Sequence, residues 1–420
     1  MRGFLKNTRT KEAMIVVLFF VIGVAFRLWF ISLAPQPPYY DQDEYETYAG
    51  KIMDHGMLAS NSYRTYPYPL LLAVTYTVVG FGNRQAIFFL QAVADSLTGV
   101  MVFWVLAHAF RHSRARWIGL LVYALNPFTS GYVGVLLSEI LATFFIAATV
   151  VAGLLFLRRP TWYRGIIFGF CAGFVAETRN AAFVWAAVPI LLTLFWVSWK
   201  KYARAYVGVL AGLILTVVYP LYVNWRDFHE INMTTVDSFY AKELYNGAVL
   251  RRLPPFTYWY PPDVQEMYHE YYSEFYPGRS TAERRAIANK YYEKAWAIVR
   301  SDPWDYMKVR LDKMWYVWQK ENVFFYSEPG FEQHRPYTYT LNLTMLLLAA
   351  FGLIVSRRGP SDMFRIWTWW VIVGTIIYGT LVFSFSHAEY RLTIPFYPLL
   401  FIAAANGAEY ILQKTQRLFP

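Results

Sequence analysis

The chain has 420 residues, of which 56% are hydrophobic, 20% aromatic and only 16% charged. That balance excludes an ordinary soluble domain, and several apolar runs approach the ~20 residues a helix needs to cross a bilayer. The net charge of +11 falls in short clusters between apolar runs rather than in one patch, which argues for topology determinants and against a nucleic-acid partner.

The elements follow in order. Arg2, Lys6, Arg9 and Lys11 precede the first span and place the N-terminus in the cytoplasm. The first apolar run, Met14 to Ala34, contains Arg27 and lacks a small-residue cleavage site, so it is expected to remain as a helix. An external loop, residues 35–84, opens on Tyr39-Tyr40-Asp41-Gln42-Asp43-Glu44-Tyr45, three carboxylates within four residues. Tyr45 to Met57 and Pro69 to Val79 read as helices lying in the interface. Further spans are expected over 85–110, 117–135, 139–157, 165–176, 181–199 and 206–225. Every basic cluster (Arg111 to Arg116, Arg158-Arg159, Lys200 to Arg204) then lands on one side.

Residues 226–337 are too polar to span and form a long external segment. Ser280 with Glu283 is a capping box that opens a helix to about Arg300. Asp302 as N-cap and Pro303 at the first position open another to about Gln319, amphipathic and aromatic, suited to a headgroup interface. Pro254 to Pro262 reads as a loop. Spans over 338–355, 366–385 and 392–412 complete an all-α bundle of about ten, with both termini cytoplasmic. The domain organisation expected is a seven-span module (1–225), the external loop (226–337) and a three-span module (338–420). Cys171 is the single cysteine, so no intrachain disulfide is possible.

Ionisable groups at membrane depth cost about 2.5–3.5 kcal/mol each on insertion scales, so they usually face a polar interior or a site. Topology puts Asp41, Asp43, Glu44, Arg64, Glu139, Glu177, Arg179, His387, Glu389 and Arg391 on the external side, while the cytoplasmic side has short basic loops. That asymmetry points to an extracytoplasmic site. Loop acids are often merely solvated, and Asp43 and Glu44 are open to that reading. Glu139 begins an otherwise apolar run and is harder to explain so. Asp95, mid-span, reads as a buried structural group. His387 and Glu389 are too few ligands to argue a metal. Ser138 has no histidine in register for a hydrolase, and no glycine loop cradles phosphate.

With these residues in view, the chain resembles the GT-C fold, lipid-linked-sugar glycosyltransferases, in the branch of the protein O-mannosyltransferases and bacterial aminoarabinose transferases. The resemblance covers nearly the whole chain. It rests on Asp41, Tyr45, Ala49 and Gly56; Arg64 before Pro67-Tyr68-Pro69; Ser138-Glu139; Thr178-Arg179; the helix pair joined at Asp302-Pro303; and Glu389-Tyr390-Arg391 before Pro395 and Pro398. Close relatives often have Glu after the loop acid, where this chain has Gln42, and the larger ones add a soluble C-terminal domain.

The resemblance implies an inverting cell-envelope enzyme that moves a sugar from a polyprenyl-phosphate donor to an acceptor hydroxyl on a glycan, lipid or protein at the bilayer's external face. Asp41 would be the general base, with Asp43 and Glu44 as supporting candidates and Glu139 orienting the acceptor or supporting Asp41. Arg391, Arg179 and Arg64, in that order, would bind the donor phosphate, since a guanidinium fork matches phosphate oxygens. Tyr45, Tyr68, His387, Glu389 and Tyr390 would contact substrate. No cofactor is expected, and a divalent metal stays open. The rival reading, a lipid or sugar transporter or flippase, predicts charges and helix breaks at mid-membrane and internal duplication; the two halves look unrelated.

Overall fold

The computed structural model describes residues 2–38, 40–57, 64–110, 113–179, 182–229, 231, 238–250, 262–272, 279–326, 328–357, 362–386 and 388–418. Among these the regular structure is helical: α1 (Arg2–Ser32), α2 (Asp41–His55), α3 (Pro67–Val79), α4 (Arg84–Val105), α5 (Ser113–Ala124), α6 (Pro127–Ser130), α7 (Glu139–Arg158), α8 (Trp162–Thr178), α9 (Ala187–Thr193), α10 (Ala203–Phe228), α11 (Ser238–Val249), α12 (Pro262–Tyr272), α13 (Thr281–Ser301), α14 (Pro303–Tyr316), α15 (Phe331–Arg357), α16 (Met363–Phe385) and α17 (Tyr397–Leu418). The expected loop around Pro254 and the side chain of His387 lie outside the described residues.

Among the described residues, six helical stretches are long and apolar enough to cross a membrane by length and composition: Thr10–Ser32, Arg84–Phe110, Glu139–Arg158, Ala203–Arg226, Phe331–Ser356 and Met363–Phe385. Several of the ten expected spans are not single long helices. The run 117–135 stops as a helix at Ala124, because Asn126 caps a new turn with Pro127 at its first position. The run 181–199 divides into a 3₁₀ turn, Val184–Ala186, and the short α9. The run 392–412 begins instead as a 3₁₀ helix, Tyr390–Phe396, that contains Pro395. The capping box at Ser280 and the Asp302 cap both form.

Small residues set a close helix contact. A Cβ on Gly169 of α8 would lie 2.0 Å from the Val209 carbonyl of α10, and one on Gly208 would lie 2.2 Å from that of Trp162. Glycines at these positions let two backbones meet where larger residues would hold them apart. Within the bundle, Arg27 of α1 meets Asp95 of α4 at 2.6 Å, both fully buried. Tyr123 and Thr129 also donate to Asp95, at 2.7 Å each, and Arg27 donates to the Tyr123 and Ala124 carbonyls. Asp95 is therefore the structural group its position suggested. α11, α12 and α13 enclose a smaller core of their own, including Ala241, Tyr245, Met267 and Tyr291.

One segment departs from expectation. Val317 to Phe325 was expected to belong to an external polar stretch, with α14 reaching Gln319. Instead α14 ends at Tyr316 and these residues are buried. Several of their polar groups are paired inside the protein, although among the described residues the Asn322 side-chain nitrogen is buried without a partner. Lys320 donates to the Val317 carbonyl and Thr393 hydroxyl at 2.9 and 2.8 Å, and Asn342 donates to the Trp318 carbonyl at 2.9 Å. Gly131 admits the segment, since a Cβ there would meet the Val323 carbonyl at 1.8 Å.

Candidate active site

Asp41 is the first residue of α2, where unpaired backbone N–H groups favour a carboxylate. Tyr40 before it has φ 59, a left-handed backbone that is a genuine outlier for a bulky side chain, and its ring stacks on Tyr326 with centroids 6.3 Å apart. Such a conformation persists where its surroundings over-determine it.

Two guanidinium groups from distant parts of the chain converge on Asp41. Arg64 Nη2 meets Oδ1 at 2.6 Å, and Arg391 Nη1 meets Oδ2 at 2.8 Å. Arg64 also binds Glu44 at 2.8 Å and lies over the Tyr45 ring, 4.9 Å from its centroid. Arg391 pairs with Glu389 through Nε, stands 3.9 Å from Glu139, and rests on the Phe325 ring at 4.6 Å. Glu139 opens α7 and forms an ion pair with Arg179 at 2.8 Å. Three arginines and four carboxylates thus form one connected cluster, drawn from α2, the approach to α3, the start of α7, the end of α8 and the 3₁₀ helix at Tyr390.

Access distinguishes the acids. The Asp41 side chain is 25% exposed, whereas that of Glu139 is 3% exposed. Burial pushes the Asp41 carboxyl up, but Arg64 and Arg391 together outweigh it and hold the carboxyl well below the usual range. Asp43 points to solvent on the outer face of α2. Among the described residues no three His, Cys, Asp or Glu side chains converge as metal ligands.

The aromatic candidates sit behind the charges. Tyr45 donates to Ser138 at 3.3 Å and packs edge-on against Tyr68, while Tyr68 donates to Gln91 at 3.1 Å. Tyr390 is buried and donates to the Phe325 carbonyl at 3.4 Å. Tyr45, Tyr68 and Tyr390 therefore brace the site more than they line it.

Gln42, noted in the sequence as a departure from relatives, has a visible task. Its Oε1 accepts from the Leu136 N–H at 2.8 Å and its Nε2 donates to the Pro37 carbonyl at 2.6 Å. It ties the residue next to Asp41 to the strand of backbone leading into Glu139. Gln91 holds the same backbone by donating to the Val133 and Val135 carbonyls at 2.8 and 2.9 Å. Sequence reasoning missed Gln42, Gln91 and Phe325 in these roles. Gln42 stands out in the sequence as a departure beside the acid, without its partners being visible, and the others carry no local signal.

No protein-family model and no curated protein sequence matches the chain. Solved structures do. The oligosaccharyltransferase of Archaeoglobus fulgidus in its apo form matches with a TM-score of 0.55 and 12% identity over 96% of this chain and 50% of that one. The same organism's oligosaccharyltransferase AglB, in complex with an inhibitory peptide and a dolichol-phosphate, matches with a TM-score of 0.50 and 11% identity over 96% and 51%. ArnT from Cupriavidus metallidurans bound to undecaprenyl phosphate scores 0.42 at 14% identity over 94% and 77%. The chain spans about half the length of the oligosaccharyltransferase it resembles. What the two share is architecture, and the chain carries the GT-C fold.

Proposed function

We propose that the chain is an inverting membrane glycosyltransferase that moves a sugar from a polyprenyl-phosphate donor to an acceptor hydroxyl at the extracytoplasmic face, with Asp41 as base. The observation that carries this reading is the double clamp on Asp41 by Arg64 and Arg391, partly exposed and beside buried Glu139. The likeness to an oligosaccharyltransferase whose structure includes a dolichol-phosphate supports the donor class.

A carboxylate held this far below its ordinary range is a poor base. Donor binding resolves this. The phosphate competes for the guanidinium forks of Arg391 and Arg64, and Asp41, relieved of them, becomes basic enough to take the acceptor proton. The acceptor oxygen then bonds to the anomeric carbon as the bond to the phosphate oxygen breaks, and the arginines keep the released phosphate. Arg179, paired with Glu139, adds positive charge nearby. The single displacement inverts the anomeric centre. The transporter reading asks for charges that open at mid-membrane, whereas Arg27 and Asp95 are saturated by protein groups.

Membranes containing the chain, supplied with radiolabelled polyprenyl-phosphate sugar, test the reading. The expected result is label on a new acceptor with release of polyprenyl phosphate. Movement of intact donor between leaflets without transfer would overturn it.

A further inference from the structure

α14 turns two basic side chains inward, and among the described residues no carboxylate pairs with them. Arg310 and Lys313, one turn apart, are 0% and 2% exposed. Both donate to one acceptor, the Gly247 carbonyl in the last turn of α11: Lys313 at 2.9 Å, Arg310 through Nη2. The Arg310 guanidinium lies 4.4 Å from the Tyr306 ring centroid, and among the described residues its Nε and Nη1 are buried with no hydrogen bond beyond the contact to Tyr306. Among the described residues neither cation is in an ion pair. Glu243, 3.5 Å from Lys242, and Asp312 are the acids whose fields reach Lys313.

Helix capping explains part of this arrangement. The end of α11 offers the equivalent of about half a negative charge, against the Arg310 guanidinium with the Lys313 amine beside it. Burial, and then Arg310, push the Lys313 amine down to about 6, which reflects the same imbalance. A buried guanidinium with free N–H groups is strongly unfavourable unless something pairs with it.

The surroundings indicate which anion. The opposite face of α14 carries Trp304, 80% exposed, with Met307, Leu311 and Trp315 also exposed along the same stripe. An aromatic stripe of this kind sits at headgroup depth, where phosphate is the abundant anion. The other end of the contact is the end of α16: a Cβ on Gly247 would lie 2.0 Å from the Phe385 carbonyl, a few residues before Glu389.

We propose that Arg310 and Lys313 form a phosphate-binding site separate from the Asp41 cluster. The oxyanion, on a lipid headgroup or free, sits on the Nε–Nη1 edge of Arg310 with Lys313 beside it, as a guanidinium fork binds phosphate elsewhere. Tyr306, half-buried over the guanidinium, is the side chain that swings aside to admit it.

The test uses the full chain carrying Arg391→Ala, which disables the phosphate contact of the first site, purified in uncharged detergent. Its melting temperature is followed against sodium phosphate, with sodium chloride of matched ionic strength as control, and against phosphatidylglycerol, with diacylglycerol as control. A rise with either ligand is expected, and adding Arg310→Met should raise the required concentration roughly thirtyfold, as for truncating one partner of a buried charged contact. A rise with phosphate alone identifies a free ion, and one with phosphatidylglycerol alone a headgroup. If Arg310→Met does not fold, Arg310→Lys, which keeps the charge and loses the fork, should bind more weakly. No rise with either ligand, or a rise that the Arg310 substitution leaves unchanged, overturns the proposal.

Discussion

Arg27 meets Asp95 at 2.6 Å inside the bundle, and Arg391 meets Asp41 at 2.8 Å at the end where the loops gather. The pairs are chemically the same, but their surroundings differ. Around Asp95 both carboxylate oxygens accept from a hydroxyl or a guanidinium fixed to a helix, and the side chain is fully buried. Around Asp41 the partners come from the bend at Arg64 and the 3₁₀ helix at Tyr390, the carboxylate keeps a quarter of its exposure, and each arginine has a second carboxylate, Glu44 or Glu389, to fall back on. A saturated pair fixes a structure. A shared and accessible one can exchange partners, which is what a phosphate-bearing substrate requires.

Breaking the inner pair should therefore cost stability and leave chemistry alone. Asp95→Ala strands a buried guanidinium and should cost about 3–5 kcal/mol, read as a lower melting temperature or yield, with activity per folded molecule unchanged. Breaking the outer pair should fall mainly on chemistry. Arg391→Ala should weaken donor binding by about 2–5 kcal/mol, measured by titration with labelled donor.

The same variant has a pH signature. Against burial, Arg64 and Arg391 depress the Asp41 carboxyl, so its contribution to stability is fully present above the ordinary value of 3.8 and is lost as pH falls below it. Without Arg391 the carboxyl rises, so acid-induced melting should begin at a higher pH in Arg391→Ala than in wild type.

Smaller effects sharpen the contrast. Gln42→Ala leaves the Leu136 N–H without its acceptor and loosens Asp41 relative to Glu139. It should cost about 1–3 kcal/mol, divided between melting temperature and transfer rate, with donor affinity nearly intact. Asp43→Asn, on the exposed face, should stay within about 0.5 kcal/mol on every readout.

Part of this is legible in the sequence, for reasons that differ by residue. The family pattern that the chain resembles, aligned on Tyr45 and Ala49, points to Asp41 within its acidic run as the expected base, and the caps at Ser280 and Asp302 are local chemistry that any context preserves. What escaped is long-range. The Gln42 clamp joins residues 94 positions apart through a backbone N–H, which leaves no periodic trace. Lys320-Glu321-Asn322 falls in the polar external segment of the sequence because composition cannot show that a carbonyl and a hydroxyl wait inside the bundle to receive Lys320. α14 looked amphipathic, as it is, but the inward turn of Arg310 and Lys313 depends on the end of α11, which only the fold supplies.

The central claim is that Asp41 removes the acceptor proton. Single-turnover transfer from radiolabelled donor by Asp41→Asn, with donor binding measured in the same membranes, tests it most directly. The account predicts donor still bound and transfer slowed by about 10²–10⁴-fold. Transfer at the wild-type rate with donor bound would contradict it.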